Sequence, residues 1–279
     1  MTQPKLGLLK GVGVGLRANH YAYIEAENPD IPWFEVLSDN YLSAGGPSFV
    51  HLENIRASYP ITLHGVGMSL GSTDPLNKSY LKKLKFLIQR IEPMLVSDHL
   101  SWTSFDKQHF HELLPLPYTE EAVQHLAMRI RQVQDYLDQR IMIENSSTYL
   151  QFKHSTLTEW EFLQAVADEA DCLILLDINN IYVSAHNNDF NPHDYLQGLA
   201  ASRITQFHLA GFEDQGTHLL DTHSAPIFPT VWNLFAKALE RFGALPTIIE
   251  WDNLIPDFLR LQQEATSAQK FMEEYAIPT

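Results

Sequence analysis

The chain has 279 residues, 45% of them apolar, and a formal net charge of −15. This length suffices for one large hydrophobic core, and the excess of acid argues against binding to nucleic acid, which requires a basic surface. No apolar run approaches the length of a membrane span, and the first five residues lack the pattern of a signal peptide, so we expect a cytoplasmic protein without membrane contact. The only cysteine, Cys172, lies in an apolar segment, which predicts a buried thiol and no disulfide framework.

Eight short apolar runs follow one another along the chain. They are Gly11–Arg17, Trp33–Ser38, Ile61–Val66, Met94–Trp102, Ile141–Asn145, Leu173–Asn180, Ile204–Ala210 and Pro246–Trp251. Most are rich in valine, isoleucine and leucine without clean alternation, as is typical of parallel strands that are buried on both faces. The runs therefore predict eight strands of a parallel sheet.

Amphipathic helical patterns separate the later runs. Apolar residues recur at spacings of three and four over 81–91 and 123–137, and Thr158 with Glu161 has the pattern of a capping box at a helix start. A further apolar face covers 231–242, and 256–275 is predicted as a terminal helix. Strands that alternate with helices over 1–279, without a linker, predict a single α/β domain.

A closed (β/α)8 TIM-like barrel of the xylose-isomerase-like type fits this pattern better than an open sheet. An open doubly wound sheet usually forms its ligand site at one switch point, whereas candidate ligands here end run after run. The glycines of Gly11–Gly15 lack the spacing and the following helix of a phosphate-binding fingerprint, so we interpret this segment as a tight barrel strand.

Six of the eight runs end in a residue of a type that ligates metals. These residues are His64, His99, Glu144, Asp177, His208 and Glu250. Because the strands of a parallel barrel point their carboxyl ends at one mouth, we expect the six side chains to converge although they are far apart in sequence. Asp221 and His223, on a loop after the seventh run, are positioned to join them.

The carboxylates of this set need positive partners. An unpaired carboxylate buried at the end of an apolar strand is strongly destabilising, and Arg17 is the only basic residue within or just after a run. Imidazole and carboxylate ligands without thiolate suit iron, manganese, zinc or cobalt, and eight ligands exceed the need of one ion. We therefore predict two or three metal ions, with a carboxylate such as Glu144 or Asp177 bridging them.

Further polar residues are expected near the mouth, where they would contact substrate or orient a ligand. They are Arg17, Glu35, Asn40, Asn180 and His186, with His20 close to Arg17. Structural roles are an open alternative for these residues.

As an ordered set, the motifs resemble the multinuclear non-heme iron oxidase family, a bacterial family that includes the oxidases of methanobactin and thia-amino-acid biosynthesis. The motifs are His64–Gly67, Ser97–Trp102, Glu144–Asn145, Leu176–Asn180, His208–Gly211, Asp221–His223 and Ile249–Asp252. The resemblance extends over residues 11–256 and departs at Phe212, where many members carry a histidine.

The resemblance implies a TIM-like barrel that holds two or three iron ions. It implies that dioxygen is a co-substrate, that cysteine residues of a ribosomally made precursor peptide are modified, and that a partner protein presents the peptide. Ligand roles fall on His64, His99, Glu144, Asp177, His208, Asp221, His223 and Glu250. We expect His64 and Glu250 to be essential for catalysis.

Two other functions stay open at the level of sequence. The same ligand types would serve a hydrolase or isomerase with two or three zinc or manganese ions, as in the xylose-isomerase-like barrels. A non-enzymatic metal-binding or scaffold protein is the third possibility, although so many ligands at a barrel mouth exceed structural need.

Overall fold

A computed structural model describes residues 9–43, 45–106 and 108–275. Eight parallel strands close into a barrel in which each strand pairs with its neighbour along the chain and the last strand pairs with the first. The strands are β1 (Val12–Gly15), β2 (Phe34–Leu37), β3 (Ile61–Gly65), β4 (Val96–His99), β5 (Met142–Glu144), β6 (Leu173–Asp177), β7 (Ile204–Leu209) and β8 (Thr247–Ile249). The predicted eight-stranded barrel is confirmed.

Helices follow the strands and cover the outside of the barrel. They are α1 (Tyr21–Glu27), α2 (Pro47–Ser58), α3 (Lys78–Ile91), α4 (Glu120–Leu137), α5 (Glu159–Ala170), α6 (Ile178–Asn188), α7 (Pro192–Gly198), α8 (Pro229–Phe242) and α9 (Phe258–Tyr275). The predicted capping box at Thr158 and Glu161 is present at the start of α5. None of the helices in the described residues combines the length and apolarity needed to cross a membrane.

Side chains alternate along each strand between the helix layer and the interior of the barrel. On β7, Phe207 packs edge to face against Phe235 of α8. Its neighbours Gln206 and His208 point the other way, and both contact Glu35 of β2 across the interior. This period of two places every second residue of a strand inside the barrel, so that the last inward residue lies at the mouth.

The amino-terminal end of the interior is closed by an apolar cluster. Its members are Leu9, Trp33, Leu95, Met142, Leu173, Leu175 and Ile248. Trp33 is fully buried, and a side chain at Gly13 would place a Cβ 2.7 Å from the indole ring and 2.6 Å from the Trp33 carbonyl oxygen. Gly13 therefore makes room for the tryptophan that closes this end.

The run Met94–Trp102 contains more than the strand that we predicted. β4 ends at His99, and Trp102 already belongs to an antiparallel hairpin of Trp102–Phe105 and Gln108–Leu114. The hairpin stands on the mouth side of the barrel because it follows the carboxyl end of β4. The prediction placed the whole run in one strand and did not reveal the chain bend between the two strands.

The run Leu173–Asn180 also changes structure within its length. The strand ends at Asp177, and α6 begins at the next residue. Asp177 is the N-cap of this helix, because its Oδ1 accepts a hydrogen bond from the backbone amide of Asn180 at 2.6 Å. One carboxylate oxygen is thereby used for the cap, while the other stays available at the mouth.

Candidate metal centre

The six strand-end residues lie together at the carboxyl-terminal mouth, and the loop after β7 adds His223. All seven side chains are buried. Among the described residues, three groups of donor atoms lie within 4.8 Å of one another: His64 with His99 and Glu144; Glu144 with Asp177, His208 and Glu250; and His223 with Glu250 and Asp252. The geometry required for metal binding is therefore present, and the binding of metal stays a prediction.

The first group presents two imidazole nitrogens to one carboxylate oxygen. Nε2 of His64 and Nε2 of His99 lie 3.2 and 3.3 Å from Glu144 Oε2. The other nitrogens are engaged: His64 Nδ1 lies 2.8 Å from Ser97 Oγ, and His99 Nδ1 donates to the Gly65 carbonyl at 3.1 Å. These partners leave each Nε2 lone pair directed at the space beside Glu144, which is how ligand histidines are commonly oriented.

The second group is centred on His208. Its Nδ1 lies 2.9 Å from Glu250 Oε2, 3.4 Å from Glu144 Oε1 and 4.0 Å from Asp177 Oδ2. On the other side of the ring, Nε2 lies 2.6 Å from Glu35 Oε1. A proton on Nε2 that is donated to Glu35 makes Nδ1 the free nitrogen, so Glu35 selects the tautomer that suits a metal ligand.

Glu35 is itself held in place from within the barrel. Its Oε2 accepts hydrogen bonds from Thr62 Oγ1 at 2.9 Å and from Gln206 Nε2 at 2.6 Å. Burial raises the pKa of this carboxyl, but the charge of His208 and its hydrogen bond hold the pKa below the usual range. The residue is therefore a fixed carboxylate below the ligands.

The third group surrounds His223. Its Nδ1 lies 3.1 Å from Asp252 Oδ2 and 3.3 Å from Glu250 Oε2, while Nε2 lies 2.6 Å from Asp221 Oδ1. Arg17 is ion-paired with Asp252. An ion in this group would share Glu250 with the second group, with Asp221 on the far side of the imidazole ring.

Two carboxylates join the three groups into one chain. Glu144 belongs to the first and second groups, and Glu250 belongs to the second and third. Ligand atoms about 2.1 Å from a common ion are separated by about 3.0–3.4 Å at right-angled to tetrahedral positions. Most of the contacts measured around Glu144 and His208 fall in or near that range, so the spacing suits bridging carboxylates between neighbouring ions.

The mouth concentrates charge that the protein side chains do not balance alone. Burial raises the pKa of Glu144, but the three imidazoles of His99, His208 and His64 outweigh it and bring the pKa to about 2. Burial, and next the charge of Glu144, raise the pKa of Asp177 well above its usual value. Asp177 is thus a buried carboxyl without sufficient positive charge nearby, which a bound cation would supply.

Several buried polar atoms at the mouth make no well-oriented hydrogen bond among the described residues, although His208 Nδ1 and His223 Nε2 lie 2.9 and 2.6 Å from carboxylate oxygens. They are Glu144 Oε2, Asp177 Oδ2, His208 Nδ1 and His223 Nε2. Buried polar atoms are nearly always paired, and these four belong to residues of the proposed ligand set. Imidazole nitrogens and carboxylate oxygens are suitable ligands for iron, manganese or zinc. The residues present therefore fit a cluster of such ions.

Hydrogen bonds from neighbouring loops hold the ligand carboxylates. The Asn145 side chain spans to Asp177, accepting from its backbone amide at 2.9 Å and donating to its carbonyl at 3.0 Å. Asp221 accepts from Ser147 Oγ at 3.0 Å and from Asn179 Nδ2 at 2.8 Å. The loop that follows β5 therefore positions ligands contributed by β6 and by the loop after β7.

The additional polar residues that the sequence pointed to fall into three sets. Glu35, Arg17 and Asn180 contact the ligand groups or their supports, and Asn180 Nδ2 donates to the Asn145 carbonyl at 3.0 Å. Asn40 and His186 are exposed, and no hydrogen bond in the described part of the chain joins them to a ligand residue. His20 is buried outside the groups, with Nε2 2.8 Å from the Pro256 carbonyl.

Asp252 was not among the predicted ligands. It lies in the loop after β8, three residues beyond the strand end at Ile249, so no strand period indicated that it would face His223. Phe212, where the family resemblance departs, is buried and stacks on Phe228 with ring centroids 4.1 Å apart. Its role in this chain is apolar packing.

Comparison with known proteins identifies the family to which the chain is similar and other proteins with the same fold. Residues 11–273 match the family described as RiPP precursor modification enzyme MbnB/TglH/ChrH, where RiPP denotes a ribosomally synthesised and post-translationally modified peptide. Similar proteins include a UPF0276 protein of Acaryochloris marina, 56% identical over 95% of both chains. Another, from Anaeromyxobacter sp., is 50% identical over 93% of this chain and 92% of its own.

Solved structures with the same fold are distant in sequence. A D-psicose 3-epimerase aligns with a TM-score of 0.62 at 12% identity, covering 95% of this chain and 99% of its own. Endonuclease IV from Thermus thermophilus aligns with a TM-score of 0.62 at 13% identity over the same shares of the two chains. These likenesses show the barrel fold alone.

Proposed function

The chain belongs to the MbnB/TglH/ChrH family of RiPP precursor modification enzymes, and we propose that it is a multinuclear non-heme iron oxidase. Dioxygen is its proposed co-substrate, and a cysteine residue of a ribosomally made precursor peptide is the proposed site of modification. The observation that carries the proposal is the chain of three donor groups linked through Glu144 and Glu250. One structural metal ion would need far fewer ligands.

Two or three iron ions would be held by the eight predicted ligands together with Asp252. Ferrous iron with open positions among histidine and carboxylate ligands supplies oxygen-dependent redox chemistry. The protein residues fix the ligand geometry: Glu35 orients His208, Ser97 orients His64, and the Gly65 carbonyl orients His99. His64 and Glu250 stay the proposed essential pair, since Glu250 belongs to two groups.

The thiol must come from outside the chain. The protein's only cysteine, Cys172, is buried directly before β6, at the end of the barrel opposite the mouth. Burial raises the pKa of its thiol to about 12, so the thiolate that would react is absent at neutral pH. A cysteine-containing peptide that enters the mouth is the proposed source of sulfur, and a partner protein that presents this peptide belongs to the proposal.

The test uses anaerobically purified protein loaded with ferrous iron. A short cysteine-containing peptide encoded beside the gene is added, followed by measured amounts of oxygen. We expect oxygen consumption that depends on the peptide and a change in peptide mass. His64→Ala and Glu250→Ala should stop oxygen consumption while circular dichroism shows a folded barrel.

The same protein loaded with zinc is the control. Zinc has no redox chemistry, so the oxidase should be inactive in this form. Turnover by the zinc-loaded form, unaffected by added oxygen, would replace the oxidase by a zinc- or manganese-dependent hydrolase or isomerase.

A further inference from the structure

One large cavity is lined by none of the candidate metal ligands. It measures about 560 Å³ and is lined mainly by apolar side chains, among them Trp102, Phe105, Pro115, Leu116, Pro117 and Phe152. The cavity that touches Glu35, His64 and Glu250 measures only about 10 Å³. We call the larger cavity the apolar groove. Its size is in the range of known ligand pockets.

We propose, on the basis of the proposed function, that the apolar groove binds an apolar side chain of the substrate peptide, about three to five residues from the cysteine that is modified. The apolar groove would thus be a second binding site for the peptide, at a fixed distance along the peptide from the modified cysteine. It rests on the position of the groove, its fixed shape, its exposed aromatic rim and its charge.

The position of the groove sets the spacing. Trp102 in its wall follows the candidate ligand His99 by three residues, and three residues span at most about 11 Å. Leu116 lines both the groove and a small cavity that reaches Asn145, next to Glu144. An extended peptide with its cysteine at the ligands would therefore place a residue three to five positions away over the groove.

The groove is held in shape by hydrogen bonds and close packing. Trp102 Nε1 donates to the Pro115 carbonyl at 2.8 Å, and Ser72 Oγ donates to the Ser104 carbonyl at 2.7 Å. Gly71 lets Leu116 approach, because a Cβ there would lie 2.7 Å from a leucine methyl. The hairpin and the loop after β3 thus form a fixed wall, which lowers the entropic cost of binding.

The rim of the groove exposes aromatic surface. Phe105 is 55% exposed and Phe152 is 38% exposed, and they stand in the hairpin and in the loop after β5. Phe110 of the hairpin and Leu150 of that loop are exposed beside them. Exposed apolar side chains that are concentrated at one place mark a binding surface.

Charge favours a peptide with a basic residue next to its apolar one. Glu121 lines the groove, and Asp106 follows the lining residue Phe105. Lys153 follows Phe152 on the opposite wall. The basic residue of the peptide is therefore expected on the hairpin side.

The test selects displayed short peptides, random except for one fixed cysteine, on the metal-loaded protein without oxygen. Wild-type protein should enrich leucine, phenylalanine, isoleucine or methionine three to five residues from the cysteine, with lysine or arginine beside them. Phe105→Ser and Phe152→Ser should raise the dissociation constant of the enriched peptides about tenfold, equivalent to about 1.4 kcal/mol. In turnover, both variants should raise KM and leave kcat unchanged.

Phe86→Ser is the matched control, because Phe86 is 49% exposed on α3 and lies outside the groove. This variant should bind the enriched peptides as the wild type does. Unchanged peptide binding in both groove variants would overturn the inference and leave the groove to a partner protein. Enriched peptides that bind through the groove but consume no oxygen would support the subsite and overturn the oxidase proposal. No enrichment of any sequence would overturn the inference and leave the oxidase proposal to the oxygen-consumption test above.

Discussion

The two ends of the barrel interior are built on the same strands and have opposite chemistry. At the amino-terminal end, Trp33, Met142 and Leu173 pack in an apolar cluster. On the same strands, or on their continuation, Glu35, Glu144 and Asp177 face the mouth end. Burial of the first set stabilises the fold, whereas burial of the second set costs free energy unless cations are bound.

This difference indicates how the chain divides stability and function. Every second side chain of a strand points into the barrel. The same strand therefore contributes apolar side chains to the amino-terminal end and ligand side chains to the mouth. The apolar cluster at the amino-terminal end is expected to stabilise the barrel without metal. The mouth end is expected to be less stable without metal at Asp177, because burial and the nearby charge of Glu144 raise the pKa of that carboxyl well above its usual value.

The largest effect on stability is expected at the amino-terminal end of the barrel. Trp33→Ala should lower the free energy of unfolding of the metal-free protein by about 3–5 kcal/mol, because it removes a fully buried indole and leaves a cavity. Denaturant unfolding measures the change. Metal bound per folded molecule should stay as in the wild type.

The matched change at the mouth is Asp177→Asn. It should cost bound metal and leave the unfolding free energy of the metal-free protein within about 1 kcal/mol, since burial and the charge of Glu144 already raise the pKa of Asp177 and asparagine can keep the helix cap. A Trp33→Ala variant that loses metal, or a metal-free Asp177→Asn variant that unfolds as easily as Trp33→Ala, would break the contrast between the ends.

Metal binding should restore the stability that the mouth lacks. A free metal concentration of about 100 times the dissociation constant should raise the free energy of unfolding by about 2.7 kcal/mol for each site. Glu144→Gln should lower bound metal by more than one equivalent because Glu144 belongs to two groups, whereas Asp177→Asn affects one group. Equal losses in the two variants, measured by elemental analysis, would argue against a bridging Glu144.

A smaller effect is expected from the residue between the two ends. Glu35→Gln removes the carboxylate that fixes the His208 tautomer, and metal affinity should fall about 10–100-fold. Competition with a coloured chelator measures the affinity. Glu53→Gln, at an exposed ion pair with Arg90, is the control and should bind metal as the wild type does.

The smallest effect concerns a buried carboxyl outside the ligand groups. Burial raises the pKa of Glu159 to about 7, whereas the imidazoles around Glu144 bring the pKa of that carboxyl to about 2. A folded pKa above the unfolded value means that Glu159 destabilises the fold increasingly as pH rises from about 4.5 to about 7.

Glu159→Gln should therefore leave stability unchanged near pH 4 and raise it by about 1 kcal/mol at pH 8. Denaturant unfolding of the metal-free protein at the two pH values measures this. A variant less stable than wild type at pH 8 would show that Glu159 is charged and stabilising at that pH.

Much of the fold and of the site geometry followed from the sequence because barrel topology converts strand order into position. His64 and Glu250 are nearly 200 residues apart, yet both end buried strands, and parallel closure brings such ends together. The burial of Cys172 was confirmed for a similar reason, since its apolar neighbours form β6.

Features that depend on loops were not predictable from hydrophobic runs. The hairpin after β4 was missed because Trp102, which lies beyond the bend at 100–101, was assigned to the preceding strand. The apolar groove is formed by the loop after β3, the hairpin, the start of α4 and the loop after β5, and no spacing in the sequence relates these segments. The Glu35–His208 contact crosses the barrel, so only the closed fold reveals which nitrogen of His208 faces the ligands.

The central claim is a cluster of ions bridged by Glu144 and Glu250. Anomalous diffraction at the iron absorption edge, from crystals of anaerobically purified protein with ferrous iron, tests it most directly. The account predicts at least two iron positions, with the carboxylate of Glu144 or of Glu250 bound to both members of a neighbouring pair. A single iron position, or ions that bind neither carboxylate, would contradict it.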